Sequence, residues 1–409
     1  MSSHISWLDF SDSDRRKMIE VVSLFKQRDT RDELGLAQIR DGFAEMFFPG
    51  TTTLQTRARY FLFVPWLYRY YEDRRTPSAV IAKRIRNREI QLMSSLGESG
   101  ETDGVIGQRS GASLQRFPSS IYWNGLRLWG ILRFPGTQYQ YRRSLDRYYL
   151  RYRNMPEIET GEMVPDDQSN WDPNLPTTPE DFPAEASFQL SYKEADYLRE
   201  RLLISCSQSL LAHMVDRCDP VEEASFAWLH PQFAEFPAHL KDRLIHARNF
   251  SETLQGAALL YNLMLAEKRE SDELITRYRE RLGSWIERLN QREASLLTWD
   301  RNAFWQLTDE FGPVYYPTRN FVNAWLDRLL SDAGICDPVE NSEMRRVVYD
   351  REVRLKRSRS RLENPRHLEL WSGEAGTGQL NYRWGVGNRL ARDIQFGFDR
   401  EAFADAFTG

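Results

Sequence analysis

The stretch FFPGTTTLQTRARYFLFVPWLYRYY, residues 47–71, sets a Pro-Gly turn, three threonines and two arginines one residue apart in front of a nearly unbroken apolar and aromatic run. Three readings compete for it: a phosphate-gripping loop, a membrane anchor, and the capped start of a buried helix. The apolar run, residues 60–68, is about nine residues long, against the roughly twenty that a membrane helix requires, so the anchor is excluded. Thr52 and Gln55 have the T-x-x-Q spacing of a capping box. They predict a helix that opens there and kinks or breaks at Pro65, which lies too deep to be a first-turn proline.

On that reading Arg57 and Arg59 fall within the first two turns, at the positive end of the helix dipole, where a cation is unfavourable unless an anion or an acid lies close. Gly50 permits close backbone approach, Thr51, Thr52 and Thr53 offer hydroxyls, and a helix N-terminus directs unpaired N–H groups outward. These residues therefore form a candidate phosphate site. The competing account pairs both arginines with carboxylates such as Asp41 or Glu45.

Outward from this stretch the pattern is helical almost throughout. Asp12 or Ser13 caps a first helix to about Gln27, and Leu36, Ile39, Phe43 and Phe47 recur every three or four residues in a second. Further helices are predicted at 78–96, 119–131 and 138–152. After them, residues 154–187 carry six prolines among acids with little periodicity, which predicts an acidic linker or a long surface excursion. SYKE, Ser191 to Glu194, is a second capping box opening a helix toward Met214. Helical repeats follow over 250–265, at Leu274, Tyr278, Leu282, Trp285 and Leu289, and at Phe321, Trp325 and Leu329. An Arg-rich helix (343–361), a glycine-rich loop and a short last helix near 387–394 complete the chain. The expected fold class is mainly α and multi-helix with few or no strands. A basic N-terminal helical domain (1–153) is joined through the linker (154–187) to a C-terminal helical domain (188–409).

Composition narrows the function. The chain has 409 residues, is 41% hydrophobic and 28% charged, and contains twelve Trp and eighteen Tyr, a content that argues for packed domains over disordered tracts. Three scattered cysteines form neither a disulfide framework nor a CxxC zinc pair, and no basic n-region precedes an apolar core at the N-terminus, so a cytoplasmic setting is expected. The net charge of −4 hides an asymmetry: residues 51–153 carry 18 basic against 7 acidic side chains, and residues 154–196 carry 1 against 11. The first segment suits a polyanion and the second could compete with one. Of the 55 basic residues 48 are arginine, the side chain suited to forked phosphate contacts and to stacking on bases. A GC-rich genome would also raise arginine content, but it would not cluster it.

QYQYRRSLDRYYLRYR, residues 138–153, holds five Tyr and five Arg, an interleaving used by single-stranded nucleic-acid binders. An amphipathic helix explains its tyrosines, with Tyr141, Leu145, Tyr148 and Tyr152 as the core stripe, and leaves Arg142, Arg143 and Arg147 for phosphate. Other chemistry is weaker. GEAGTGQL, residues 373–380, has the G-x-x-x-x-G spacing of a P-loop but Gln379 and Leu380 where Lys and Ser or Thr are needed, so no ATPase activity is expected. The H-x-K at His239 and Lys241 lacks its downstream Asp, and His213, His230, His239 and His246 do not carry a metal-ligand pair of HExxH type. No metal, cofactor or catalytic residue is assigned.

The opening stretch, its upstream RDTRDELGLAQIRDGFAEM, GVIGQRSGASLQRFPSSIYWNGLRLWGI, HARNFSETLQGAALLYNLMLAE and the closing GQLNYRW together resemble a bacterial family catalogued only as a domain of unknown function. The resemblance covers essentially the whole chain and brings no catalytic residues. It implies an anti-phage defence setting, with a helicase or a phospholipase D-like nuclease as partner. The leading expectation is a non-catalytic component that binds nucleic acid, DNA or RNA with DNA favoured, together with effector proteins and no membrane. A nuclease or toxin with a dispersed site and a structural adaptor without nucleic-acid contact are the alternatives.

Overall fold

A computed structural model describes residues 32–101, 103–108, 114–153 and 169–408, with side chains up to residue 398 apart from 152–153. The helix expected over 12–27 and the charge-dense half of the expected linker, 154–168, lie outside the described residues. Along the chain run α1 (Ala37–Phe47), α2 (Tyr60–Asp73), α3 (Ser78–Glu98), α4 (Pro118–Leu128), α5 (Gln138–Arg153), α6 (Tyr192–Ser205) and α7 (Leu210–Arg217). They are followed by α8 (Ala238–Lys268), α9 (Asp272–Asn290), α10 (Glu293–Leu297), α11 (Arg301–Asp309) and α12 (Tyr316–Leu329). Then come β1 (Leu330–Ser331), β2 (Gly334–Ile335), α13 (Ser342–Lys356), α14 (Pro365–Glu369) and α15 (Trp384–Thr408). The fold is mainly α as expected, and β1–β2, an antiparallel pair with Leu330 opposite Ile335, is the only sheet among the described residues. Among them no helix is long and apolar enough to cross a membrane.

The chain divides into two compact units, each built from separated stretches: Met1–Phe43 with Asp242–Leu380, and Ala44–Lys241 with Asn381–Gly409. This differs from the sequential division expected at 154–187. In the first unit the predicted periodicities are realised, with Tyr278, Leu282, Trp285 and Leu289 buried along α9 and Phe321, Trp325 and Leu329 along α12. Gly256 is required there, because a Cβ on it would lie 2.2 Å from the Trp285 ring.

The second unit is organised around α2. Every residue from Tyr60 to Tyr68 is buried, as in a helix apolar on all sides, and α3 and α4 pack on it while α5 packs on α3. Phe61 stacks on Trp129 with ring centroids 3.7 Å apart. The start of α2 corrects the expectation: the helix opens at Tyr60, not at the T-x-x-Q. Only half of that box forms, the Thr52 N–H donating to Gln55 Oε1 at 3.3 Å, while the buried Thr52 hydroxyl has no partner. The Gln55 amide donates instead to the Gly50 carbonyl at 3.0 Å. The late start puts Pro65 in the second turn, and α2 continues through it to Asp73.

Gly50 takes φ +73°, and the backbone it lets approach is that of Gly125 in α4. A Cβ on Gly125 would meet the Gly50 carbonyl oxygen at 2.6 Å and the Phe61 ring at 2.8 Å. Neither neighbour can retreat, since one is backbone and the other is stacked. Gly125→Ala is therefore expected to destabilise the protein by about 1–3 kcal/mol, read as a lowered urea midpoint with an unchanged m-value.

The described half of the expected linker is packed rather than extended. The Arg133 N–H donates to the Asn170 carbonyl and the Asp172 N–H to the Ile131 carbonyl, both at 2.9 Å, and Trp66 Nε1 donates to the Pro176 carbonyl at 2.7 Å. Trp171, Leu175 and Phe182 are buried. These anchors, spaced among the prolines, fix a segment that shows no helical or strand periodicity. Beneath it Glu72 is buried, accepting from Asn170 Nδ2 and Trp171 Nε1 at 3.1 Å and from the Tyr141 hydroxyl. Ser191 and Glu194 form the complete capping box of α6. The last helix, α15, is longer than predicted and packs on α6 and α7.

Candidate nucleic-acid interface

The two arginines of the opening stretch are committed to carboxylates. Arg57 Nη2 lies 2.9 Å from Asp393 Oδ1 and Nε 3.0 Å from Oδ2, a forked contact of the kind guanidinium makes with two oxygens. The Ala58 N–H donates to the same carboxylate at 2.8 Å, and the Thr56 and Arg57 N–H groups point at the Tyr122 hydroxyl, 2.9 and 3.1 Å away. Asp393 thus supplies the anion that the start of α2 calls for. Burial opposes the Arg57 charge, but Asp393 more than offsets it and holds the guanidinium above its ordinary pKa. Burial also pushes the Asp393 carboxyl up, against the pull of Arg57 and the Ala58 N–H. Arg59 Nη2 pairs with Glu194 at 2.8 Å and its Nη1 donates to the Ser187 carbonyl at 2.9 Å.

The carboxylate account therefore describes both arginines, with partners other than those expected. Asp41 pairs with Arg40 and Glu45 with Arg383. The hydroxyls of the stretch are also turned to the fold: Thr51 is buried and donates to the Phe48 carbonyl at 2.7 Å, and of the three threonines only Thr53 is exposed. The Gly50 N–H donates to Glu45 at 2.9 Å.

The cations of α3 and α5 are arranged differently. Lys83, Arg84, Arg143, Arg147 and Arg151 are exposed and Arg142 is half-buried. None of the six is in an ion pair among the described residues, whereas Arg57, Arg59, Arg133 and Arg201 all are. Arg143, Arg147 and Arg151 recur every four residues and so form one stripe on α5. The nearby acids do not neutralise them. Glu89 is buried, and Asp146 accepts from the Ser78 N–H at 2.9 Å at the start of α3. Of the α5 tyrosines, Tyr141 is in the core as the amphipathic reading predicts, and Tyr148 is half-buried. Tyr139 is 60% exposed, with Arg143 lying 5.5 Å from its ring centroid.

Between α3, the start of α4 and α5 opens a cleft of about 400 Å³. Lys83, Arg86, Glu89, Ser119, Gln138 and Arg142 line it. Glu89 accepts from the Ser119 N–H at 2.7 Å, and Gln138 Nε2 donates to Ser119 Oγ and to the Tyr68 hydroxyl, each at 2.7 Å. Burial pushes the Glu89 carboxyl up to about 7, against the weaker pull of Ser119, Arg142 and Arg86. Of these residues only Arg142 was singled out in the sequence. The i, i+3, i+6 spacing of Lys83, Arg86 and Glu89 places them on one helix face and was the available signal.

The weaker motifs have structural roles. In the glycine-rich loop the Gly373 carbonyl accepts from the Tyr278 hydroxyl at 2.6 Å, and Ala375 exchanges two hydrogen bonds with the Asn262 side chain. Its Glu374 pairs with Arg281 at 2.6 Å and Arg277 at 3.2 Å. His239 and His246 fall in different units, His246 Nδ1 accepting from Trp299 Nε1 at 2.9 Å. No group of three His, Cys, Asp or Glu side chains among the described residues could hold a metal ion.

No curated protein and no solved structure matches the chain. Over residues 1–395, taking in the α2 start, the α3–α5 cleft and the α15 segment that carries Asp393, the sequence matches the model of a family of unknown function, DUF6361, and the chain belongs to that family.

Proposed function

We propose that the second unit binds nucleic acid, with DNA favoured, by phosphate contacts along α3 and α5, as a non-catalytic component that presents the bound strand to effector proteins. The anti-phage setting implied by the family resemblance is consistent with such a role. The observation that carries the reading is the sorting of the arginines: Arg57 and Arg59 of the opening stretch are paired with acids, and Arg84, Arg142, Arg143, Arg147 and Arg151 are in no ion pair among the described residues. Candidate phosphate ligands are accordingly Lys83, Arg84, Arg142, Arg143, Arg147 and Arg151. Gly50, Thr51, Thr52, Arg57 and Arg59 shape the fold beside them. Tyr139 supplies an exposed ring for base stacking.

A salt titration tests the reading. Removing three phosphate contacts with Arg143→Gln, Arg147→Gln and Arg151→Gln together should lower the slope of log K against log salt by about 2–3. Binding to a single-stranded oligodeoxynucleotide should weaken at least tenfold at about 0.1 M salt, with the melting temperature unchanged because all three side chains are exposed. An unchanged slope would refute the assignment. Tyr139→Ala should weaken single-strand binding by about 1–3 kcal/mol and leave duplex binding unaffected.

A further inference from the structure

We propose that the α3–α5 cleft is a pocket for one phosphate group, held by Lys83 and Arg142, and that filling it is favoured by a proton on Glu89. The proposal rests on the nucleic-acid reading for the source of the phosphate but not for the pocket's chemistry.

The cleft is of ligand size, since small-molecule pockets run from about 300 to about 1,000 Å³. Its charged lining is Lys83, Arg86 and Arg142 with a single carboxylate, the buried Glu89. A tetrahedral oxyanion suits Lys83 and Arg142 and is opposed by an ionised Glu89, because two anions sharing one cleft disfavour each other's charge. Among the described residues that line the cleft, every other group is neutral or cationic. The ionised Glu89 acts on the Tyr60 and Tyr68 hydroxyls of α2, and it shares the cleft with Lys83 and Arg86 of its own helix, Ser119 of α4, and Gln138 and Arg142 of α5.

Protonation removes the conflict. The carboxyl becomes neutral, and its O–H becomes a donor that a phosphate oxygen accepts. Because burial already holds Glu89 near the midpoint of its titration at neutral pH, this change requires little free energy there and increasingly more as pH rises. The bound anion raises the carboxyl's proton affinity further, so binding and proton uptake are linked in both directions. The pocket is in this sense a phosphate site that weakens in alkali. Phosphates held only by arginine have no such dependence below the arginine pKa.

The test uses ligands that do not themselves titrate between pH 6 and 9. Thymidylyl-thymidine carries one phosphodiester and no terminal phosphate, and sulfate stands in for free phosphate. Calorimetry in two buffers of different ionisation enthalpy should show uptake of up to one proton at about pH 8. Affinity should fall about tenfold between about pH 7 and about pH 8.5. Glu89→Gln should bind with no proton uptake and a flat pH profile, and Arg142→Gln should lose most of the binding at every pH.

Linked binding of thymidylyl-thymidine supports the pocket with nucleic acid as source. Linked binding of sulfate alone supports the pocket with free phosphate as source, and removes it from the nucleic-acid reading. Binding that is flat with pH in the unmodified protein, or pH dependence that persists in Glu89→Gln, overturns the proton linkage. Failure of both ligands to bind overturns the pocket, whether or not long oligonucleotides still bind the exposed α5 stripe.

Discussion

Arg57→Gln is expected to destabilise the second unit by about 3 kcal/mol while leaving nucleic-acid affinity and its salt slope unchanged. Removing one partner of a buried pair costs about 3–5 kcal/mol because the other charge remains buried and uncompensated. The lower end applies here, since the Arg57 side chain is 21% exposed while that of Asp393 is 8% exposed. The Ala58 N–H still donates to the carboxylate and limits the loss further. Urea denaturation of Arg57→Gln, Asp393→Asn and the double substitution measures it. The double variant should recover part of the loss, because neither partner then carries an unpaired charge. A small change in stability accompanied by a shallower salt slope would instead return Arg57 to the phosphate-binding set.

Glu89→Gln is expected to alter how stability depends on pH. Burial pushes the Glu89 carboxyl up to about 7 in the folded protein, from an ordinary value of 4.5. Between these values the folded state holds a proton that the unfolded state has released, so the stability this group contributes is present in acid and lost as pH rises through about 7. The displacement corresponds to about 3 kcal/mol. Glutamine is nearly isosteric, accepts the Ser119 N–H, and does not titrate. Relative to the unmodified protein, Glu89→Gln should therefore gain about 3 kcal/mol on moving from about pH 4.5 to about pH 8. Denaturation curves at both ends decide it, and parallel pH profiles would show that Glu89 is not desolvated as described.

The two substitutions probe different parts of the second unit. Arg57 and Arg59 hold the entry of α2 to α15 and α6 through Asp393 and Glu194, and so fix the core helix on which α3 and α4 pack. With that core in place, α3 and α5 lie side by side and bring Lys83 and Arg86 to the cleft that Arg142 closes. The proposed phosphate contacts thus fall on Lys83, Arg84, Arg142, Arg143, Arg147 and Arg151, which are in no ion pair among the described residues, and the loop that looked like an anion site serves as support for the core.

Much of the helical layout was legible in the sequence, because an apolar stripe at intervals of three or four residues is a local property. The positions of α3, α5, α9 and α12, the Ser191–Glu194 box and the cationic character of α5 all follow from it. The start of α2 was not legible, since a T-x-x-Q is a capping box only if the chain turns helical after it. Here Gly50 meets Gly125, and the Gln55 side chain is drawn to the Gly50 carbonyl. Nor could the sequence sort the arginines. Arg57 finds its acid 336 residues away and Arg59 finds its own 135 away, while Arg143, Arg147 and Arg151 find none among the described residues. Composition and spacing alone determined that this chain is a helical protein with its basic residues concentrated before an acidic segment. Only the tertiary structure decided which of those charges remain open to a ligand, because pairing depends on what the fold brings within about 4 Å, and sequence separation does not encode that distance.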